Sequence, residues 1–408
     1  MSKNKILIPE FRFPEFANDD DWVEKKLGEI AENLDSRRVP ITSTQREVGH
    51  IPYYGASGII DYVKDYIFNE MLLCISEDGA NLIDRNYPIA FSISGRTWVN
   101  NHSHVLKFKN INIQKIVETY INSINIEKFL TGMAQPKLNR GKLDIIPIPL
   151  PKNLEEQQKI ASCLSSLDEM IAAHGQKLEL FKDHKKGLMQ NLFPQQGEKV
   201  PKYRFPKFVN DSEWEVKTLG NYLIRPPEYG INAPAVPYSD KLPTYLRITD
   251  ISEDGRFLSN DKVSVDREVT ENNYLSEGDI VLARTGASVG KSYRYRNEDG
   301  RLVFAGFLIR VKTYAPELNS DFLFQFFSTN QYWKWVSFIS ARSGQPGING
   351  TEYSSMPISL PPTIKEQQEI ASCLSTLDEL IAAQAKNIEQ LKLHKKGLMQ
   401  GLFPKMND

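Results

Sequence analysis

The sequence predicts an α+β chain: two β-rich domains separated by two long helices that pair as an antiparallel coiled coil, with approximate two-fold symmetry. Three observations predict it. Residues 160–194 and 370–404 are identical at 24 of 35 positions, so one segment is written twice. Pro9–Gly28 and Pro201–Gly220 form a second matched pair, aligning Trp22 with Trp214. The stretches between, roughly 30–134 and 222–344, show no such identity and differ in length. A repeated scaffold therefore carries two different inserts.

In chain order this gives a first β-rich domain over 1–152, a central spacer helix over 153–195, a second β-rich domain over 196–362 and a distal spacer helix over 363–408. In the first insert, Tyr53–Val63, Met71–Ser76, Ile89–Ile93 and His104–Phe108 alternate or cluster apolar and β-branched residues between Gly, Asn and Asp turns. Thr244–Ile251, Asp279–Ala283, Lys291–Arg296 and Phe304–Val311 do so in the second. Asp321–Val336 is predicted as an aromatic helix. A third echo precedes each spacer: Gln135-Pro136-Lys137-Leu138-Asn139 matches Gln345-Pro346-Gly347-Ile348-Asn349.

Both spacer helices carry end signals. Thr363 with Glu366, and Asn153 with Glu156, have capping-box spacing. Pro194 and Pro404 stop the helices, and Asn191 and Gly401 suit a C-terminal cap. Apolar residues recur at alternating spacings of four and three, from Ile160 to Leu192 and from Ile370 to Leu402. Polar residues interrupt the seam at the same places, His174 and Lys185 in one copy, Gln384 and Lys395 in the other. About 35 helical residues at 1.5 Å each give about 50 Å, against about 34 Å for a turn of DNA. Identity also persists off the seam, where packing does not require it. His184, Lys186, Met189 and Gln190 recur as His394, Lys396, Met399 and Gln400. This predicts one surface offered twice to two copies of a partner, unless the duplication is recent.

The composition excludes several classes. No run of about 20 apolar residues can span a membrane, and the first residues lack a signal-peptide core, so a cytoplasmic chain is expected. Cys74, Cys163 and Cys373 are scattered and lack metal-site spacing. Net charge is −1, which argues mildly against nucleic acid. However, 85–117, 128–143 and 280–297 hold basic residues and no acid, a pattern suited to local phosphate contact as well as to ordinary solvated strands.

Catalytic motifs fail on inspection. Thr285–Ser292 resembles a phosphate loop, but Thr285 stands where glycine is required and Tyr-Arg-Tyr-Arg, not an apolar helix, follows. Arg225–Tyr229 echoes an amino-methyltransferase loop without its leading Asn or Asp. His102 and His104 could ligate a metal from one strand face, with no third ligand evident, so no metal is expected. Tyr332, Trp333 and Trp335 read as a helix anchored in a core rather than a base-stacking surface.

The duplicated His-Lys-Lys-Gly-Leu-Met-Gln helix ends, the Glu-Gln-Gln starts at Glu156 and Glu366, the Gly55–Gly58 element and Leu282–Ser292 together resemble the specificity (S) subunit of type I restriction–modification systems. The resemblance covers the whole chain. It implies a non-catalytic subunit with two target-recognition domains, each reading half of a split sequence in double-stranded DNA. It implies two adenine-methyltransferase subunits docked on the helices, and restriction subunits joined through the complex. No cofactor is expected in this chain; S-adenosylmethionine, ATP and magnesium belong to those partners. DNA-contact candidates are Arg96, Lys137, Asn139 and Arg140 in the first domain, and Arg284, Thr285, Ser288, Lys291, Arg342, Gln345 and Asn349 in the second. The Gln-Pro loops recur where readout should diverge, which equally fits a structural role.

Overall fold

The computed structural model describes residues 7–132, 135–341 and 346–405. It divides into two compact units: Met1–Gln176 with Ala385–Asp408, and Lys177–Gln384. The repeated segments are single helices, Leu154–Leu192 and Ile364–Leu402, of 39 residues each. Each unit thus holds the first part of one helix and the last part of the other.

In the first unit, Ile160 and Leu164 of the central helix share a core with Leu402 and Phe403 of the distal helix. Lys395 also donates to Asp168. In the second unit, Leu192 and Phe193 share a core with Ile370, Ala371 and Leu374, and Lys185 Nζ lies 2.6 Å from Asp378 Oδ1. Moving from Asp168 to Lys185 advances 17 residues, and from Lys395 to Asp378 retreats 17. Both units therefore carry one antiparallel register. The seam lysines are not idle breaks: each pairs with an aspartate of the other helix. Asp168 is also bonded by Lys115 of the helix Ile111–Ser123. Burial would raise the Asp168 carboxyl, but the hydrogen bonds from Lys115 and Lys395 outweigh it and hold it low.

Each helix start is tied to its unit in the same way. Glu156, buried, accepts from Arg12 through both oxygens at 2.8 Å and from Trp22 Nε1 at 3.1 Å. Glu366 does the same with Arg204 at 2.8 Å and Trp214 Nε1 at 3.3 Å. These are the glutamates of the expected capping boxes, and their carboxylates are spent on the lead segment instead. Capping falls to Asn153, which accepts from Glu155 N, and Thr363, which accepts from Glu366 N. The next residue reaches the insert. Gln157 Oε1 accepts from Asn110, and Gln367 Oε1 accepts from Asn319 N; Asn110 and Asn319 cap the helices that follow them.

The helix ends differ from expectation at Gly401. It is helical rather than a left-handed cap, and a Cβ there would lie 2.2 Å from the Phe11 ring. Its smallness admits the lead segment, whose Phe11 N donates to Gly401 O at 2.8 Å. In the other unit Tyr203 N donates to Asn191 O at 2.9 Å. Phe403 and Phe193 then meet Trp22 and Trp214 edge to face.

The inserts, unlike in sequence, share a strand plan. In the first, one sheet orders Ala31–Asn33, Ser103–Phe108, Leu72–Ser76 and Ala90–Ile93; in the second, the order is Glu228–Tyr229, Leu308–Val311, Ile280–Ala283 and Ser292–Arg294. Every pairing in these two sheets is antiparallel. Each insert adds a second four-stranded sheet with one parallel pair, Val48–Gly55 with Arg96–Val99 and Thr244–Leu246 with Leu302–Phe304. The predicted aromatic helix is two, Ser320–Phe326 and Asn330–Ser340. Tyr332 is buried with its hydroxyl on Gly290 O at 2.6 Å.

Glu156→Ala strands the buried Arg12 guanidinium and the Trp22 N–H, so it should destabilise the first unit by about 3–5 kcal/mol. Replacing Arg12 and Glu156 together with methionine should recover most of that loss. Urea unfolding monitored by tryptophan fluorescence measures both. A Glu156→Ala penalty below about 1 kcal/mol would remove the knot as a structural determinant.

Candidate nucleic-acid interface

The central strand of each antiparallel sheet ends in a tight turn against the Gln-Pro loop. In the first insert, strand Leu72–Ser76 runs into Glu77-Asp78-Gly79, and Gly79 takes φ +110°. Gly79 N donates to Pro136 O at 3.2 Å, Leu138 N donates to Glu77 O at 2.8 Å, and Asp78 bridges Lys137. In the second, strand Ile280–Ala283 runs into Arg284-Thr285-Gly286, with Gly286 at φ +76°. Gly286 N donates to Pro346 O at 3.2 Å, Ile348 N donates to Arg284 O at 2.9 Å, and Thr285 bridges Gly347. The backbone is the same and the side chains differ: Glu77 stands where Arg284 does, and Asp78 stands where Thr285 does. Leu138 and Ile348 plug the cores beneath, which explains why these loops recur.

Around the second turn, the Arg284 guanidinium lies 4.8 Å from the centre of the Tyr229 ring. Its Nε is buried and has no hydrogen-bond partner among the described residues. Tyr229 is held from behind by Gly350 N, which donates to its hydroxyl at 2.9 Å. Asn349 caps the helix Gly350–Ser354, its side-chain oxygen accepting from Glu352 N at 2.9 Å. Thr285 precedes the single turn Gly286–Ser288, and Lys291 Nζ lies 2.7 Å from Glu253. Strand Ser292–Arg294 follows, antiparallel to Ile280–Ala283; the phosphate-loop echo is a hairpin turn. Arg342 and Gln345 lie outside the described residues.

Around the first turn, Asp78 faces His102, whose Nδ1 lies 3.0 and 2.9 Å from the two carboxylate oxygens. Lys137 Nζ lies 3.2 Å from Glu77, and Arg38 Nη1 lies 2.6 Å from it. Asn139 precedes the helix Arg140–Asp144 and donates to Thr131 Oγ1 at 3.0 Å. Arg140 is exposed and lies 3.6 Å from Asp144. Arg96 sits apart on the other sheet, 5.0 Å over the Tyr66 ring. The structure thus gathers Lys137 and Asn139 near one turn, Arg284, Thr285 and Asn349 near the other, and leaves Arg96 on a separate strand. Acid-free sequence did not mark a surface: Arg85 is turned onto the carbonyls of Ile121 and Ile124, and Lys115 onto the central helix. Glu77, Asp78 and Tyr229 also stand at the two turns, where acids and a lone tyrosine carry no basic signature in the sequence.

Beneath the first turn, Asp35, Glu77 and His104 bring ligand atoms within 4.8 Å of one another; His102 is not among them and pairs with Asp78. They are already engaged. His104 Nδ1 lies 2.6 Å from Asp35 and Nε2 lies 2.7 Å from Leu138 O, while Arg38 and Lys137 take up Glu77. Two cations in place of a metal close the ion-pair network. Burial alone would raise the Asp35 and Glu77 carboxyls; hydrogen bonds from His104 and Arg38 reverse this and hold both low.

The helix ends form a second, duplicated surface. In the second unit Lys182, Lys186, Met189, Gln190, Phe193 and Pro194 line a groove of about 840 Å³. In the first, Lys392, Lys396, Met399, Gln400, Phe403 and Pro404 line one of about 800 Å³. Their opposite walls differ, with Trp335 and Phe338 in one and Tyr87 and Tyr120 in the other. His184 and His394 are exposed beside the grooves and do not line them.

A family model described as the type I restriction modification DNA specificity domain matches residues 19–182 and 239–393. The chain belongs to that family. Its members are specificity subunits, which are non-catalytic components of methyltransferase and restriction complexes. A Haemophilus influenzae protein named as a type I restriction enzyme specificity subunit is 28% identical over 361 residues, covering 88% of each chain. The MjaVIII specificity subunit of Methanocaldococcus jannaschii is 24% identical over 414 residues, covering 94% of this chain and 92% of its own. The crystal structure of an S subunit from M. genitalium shares the fold, with a TM-score of 0.70 at 13% identity over 98% of this chain and all of that one. The role of this specificity subunit is recognition of DNA sequence. Among the described residues, no helix is long and apolar enough to cross a membrane.

The Asp35 and Glu77 carboxyls titrate lower folded than unfolded, so their contribution is complete above about pH 4.5 and drains away as pH falls through the depressed native values. Asp35→Asn should therefore destabilise the first unit at pH 7, with a penalty that shrinks toward pH 3. Thermal melts across that range test it; a penalty that stays constant would show that the Asp35 charge is irrelevant.

Proposed function

We propose that this specificity subunit reads a split DNA sequence, with residues 1–152 reading one half and 196–362 the other. The helices over 153–195 and 363–408 space the two readers. Phosphate contacts position each reader and a few side chains at its Gln-Pro turn reach base edges. Two adenine-methyltransferase subunits dock at the helix-end grooves, one on Met189 and Gln190, the other on Met399 and Gln400. Lys186 and Lys396 border these sites, with His184 and His394 exposed beside them. S-adenosylmethionine is the methyl donor of those subunits; ATP and magnesium serve the restriction subunits where they join. The observation that carries this reading is the contrast within each unit: identical groove residues on the helices, and different side chains on matching turns in the readers.

Methyladenine mapped genome-wide in cells holding the cognate methyltransferase should follow a gapped two-part motif that vanishes without this chain. Lys186→Glu with Lys396→Glu, at exposed positions of the same grooves, should also erase it while the purified chain melts as wild type. A contiguous motif, or methylation independent of the chain, would contradict the reading.

A further inference from the structure

The turns at 77–79 and 284–286 occupy one position in two copies of a fold. Each follows the third strand of its antiparallel sheet, turns on a glycine with positive φ, and is pinned by the same two backbone bonds to a Gln-Pro loop. The pinning places the two preceding residues in one geometry whatever their side chains.

The side chains differ at both places: Arg284 answers to Glu77, which Arg38 and Lys137 already engage, and Thr285 answers to Asp78. Asp78 is partly exposed, and its carboxylate holds Nδ1 of His102, which is itself half exposed. A carboxylate offers only acceptors to a base edge. Arg284 offers only donors, in a planar fork. Its guanidinium lies over the Tyr229 ring, whose hydroxyl accepts from the N–H of Gly350. Neither turn carries this chemistry in the other unit.

We infer that this turn is the specificity-determining element of each reader, used through a different one of its two residues in each: Asp78 selects a base presenting an exocyclic amino group in the major groove, and Arg284 selects guanine. Cytosine N4 and adenine N6 are the amino donors available to Asp78. Guanine O6 and N7 suit the Arg284 fork. His102 and Tyr229 are positioning residues, acting through Asp78 and Arg284. This inference rests on the two-reader assignment above.

The test uses the complex reconstituted with its methyltransferase and a DNA library randomised across both half-sites. Wild type reports first: failure to select any split sequence would sink the two-reader assignment itself. Given a split motif, Asp78→Asn should lower preference for the cognate base at one position of one half by about 5- to 150-fold. Arg284→Gln should do so at one position of the other half. Tyr229→Leu should weaken discrimination at that same second position, whereas Tyr229→Phe should retain most of it, a pattern that general destabilisation would not produce. The unaffected half-site serves as the folding control in each case. Selection of the wild-type motif by both Asp78→Asn and Arg284→Gln, with the complex intact, would overturn the inference.

Discussion

Everything in each unit hangs from one buried carboxylate at the start of a long helix. Glu156 gathers Arg12 and Trp22, and Glu366 gathers Arg204 and Trp214. A carboxylate taken out of water is tolerable only with its lone pairs filled, and the bidentate guanidinium and indole N–H do this. The neighbouring Gln157 and Gln367 carry the tie onward to the capping asparagines of the inserts. Lead segment, spacer helix and reader are thus fixed to one another before any apolar packing is counted. This accounts for the duplication of the lead, which has no seam to fill.

The same logic explains the polar residues in the helix seam. Lys185 and Lys395 would weaken a purely apolar interface, yet each meets an aspartate of the opposite helix. A one-heptad slip would leave these charges unpaired, so the pairs select one antiparallel register. Asp168 and Asp378 are also bonded from the inserts, by Lys115 and Gln325. Register along the helices and placement of each insert are therefore set by the same two side chains.

The helices were legible because period, caps and repetition all pointed one way. The helix-start glutamates were visible but assigned to caps, since a capping box and a buried ion pair ask for the same residue three positions from the cap. Gly401 looked like a helix terminator and is instead a gap for Phe11, a long-range contact that local rules do not register. The kinship of the inserts was invisible: sheet order survives where only the glycine turn and the Gln-Pro plug constrain sequence. The basic runs misled, because Arg85 and Lys115 serve carbonyls and an aspartate. For the same reason Asp78 escaped notice; a search for cations passes over an acceptor.

On the proposed reading, the two inserts are independent modules on a common frame. Replacing residues 222–344 with the corresponding region of another family member, and determining the methylated motif of the resulting complex, tests this most directly. The predicted result is a motif in which one half changes and the other half is retained. A motif changed in both halves would contradict the account.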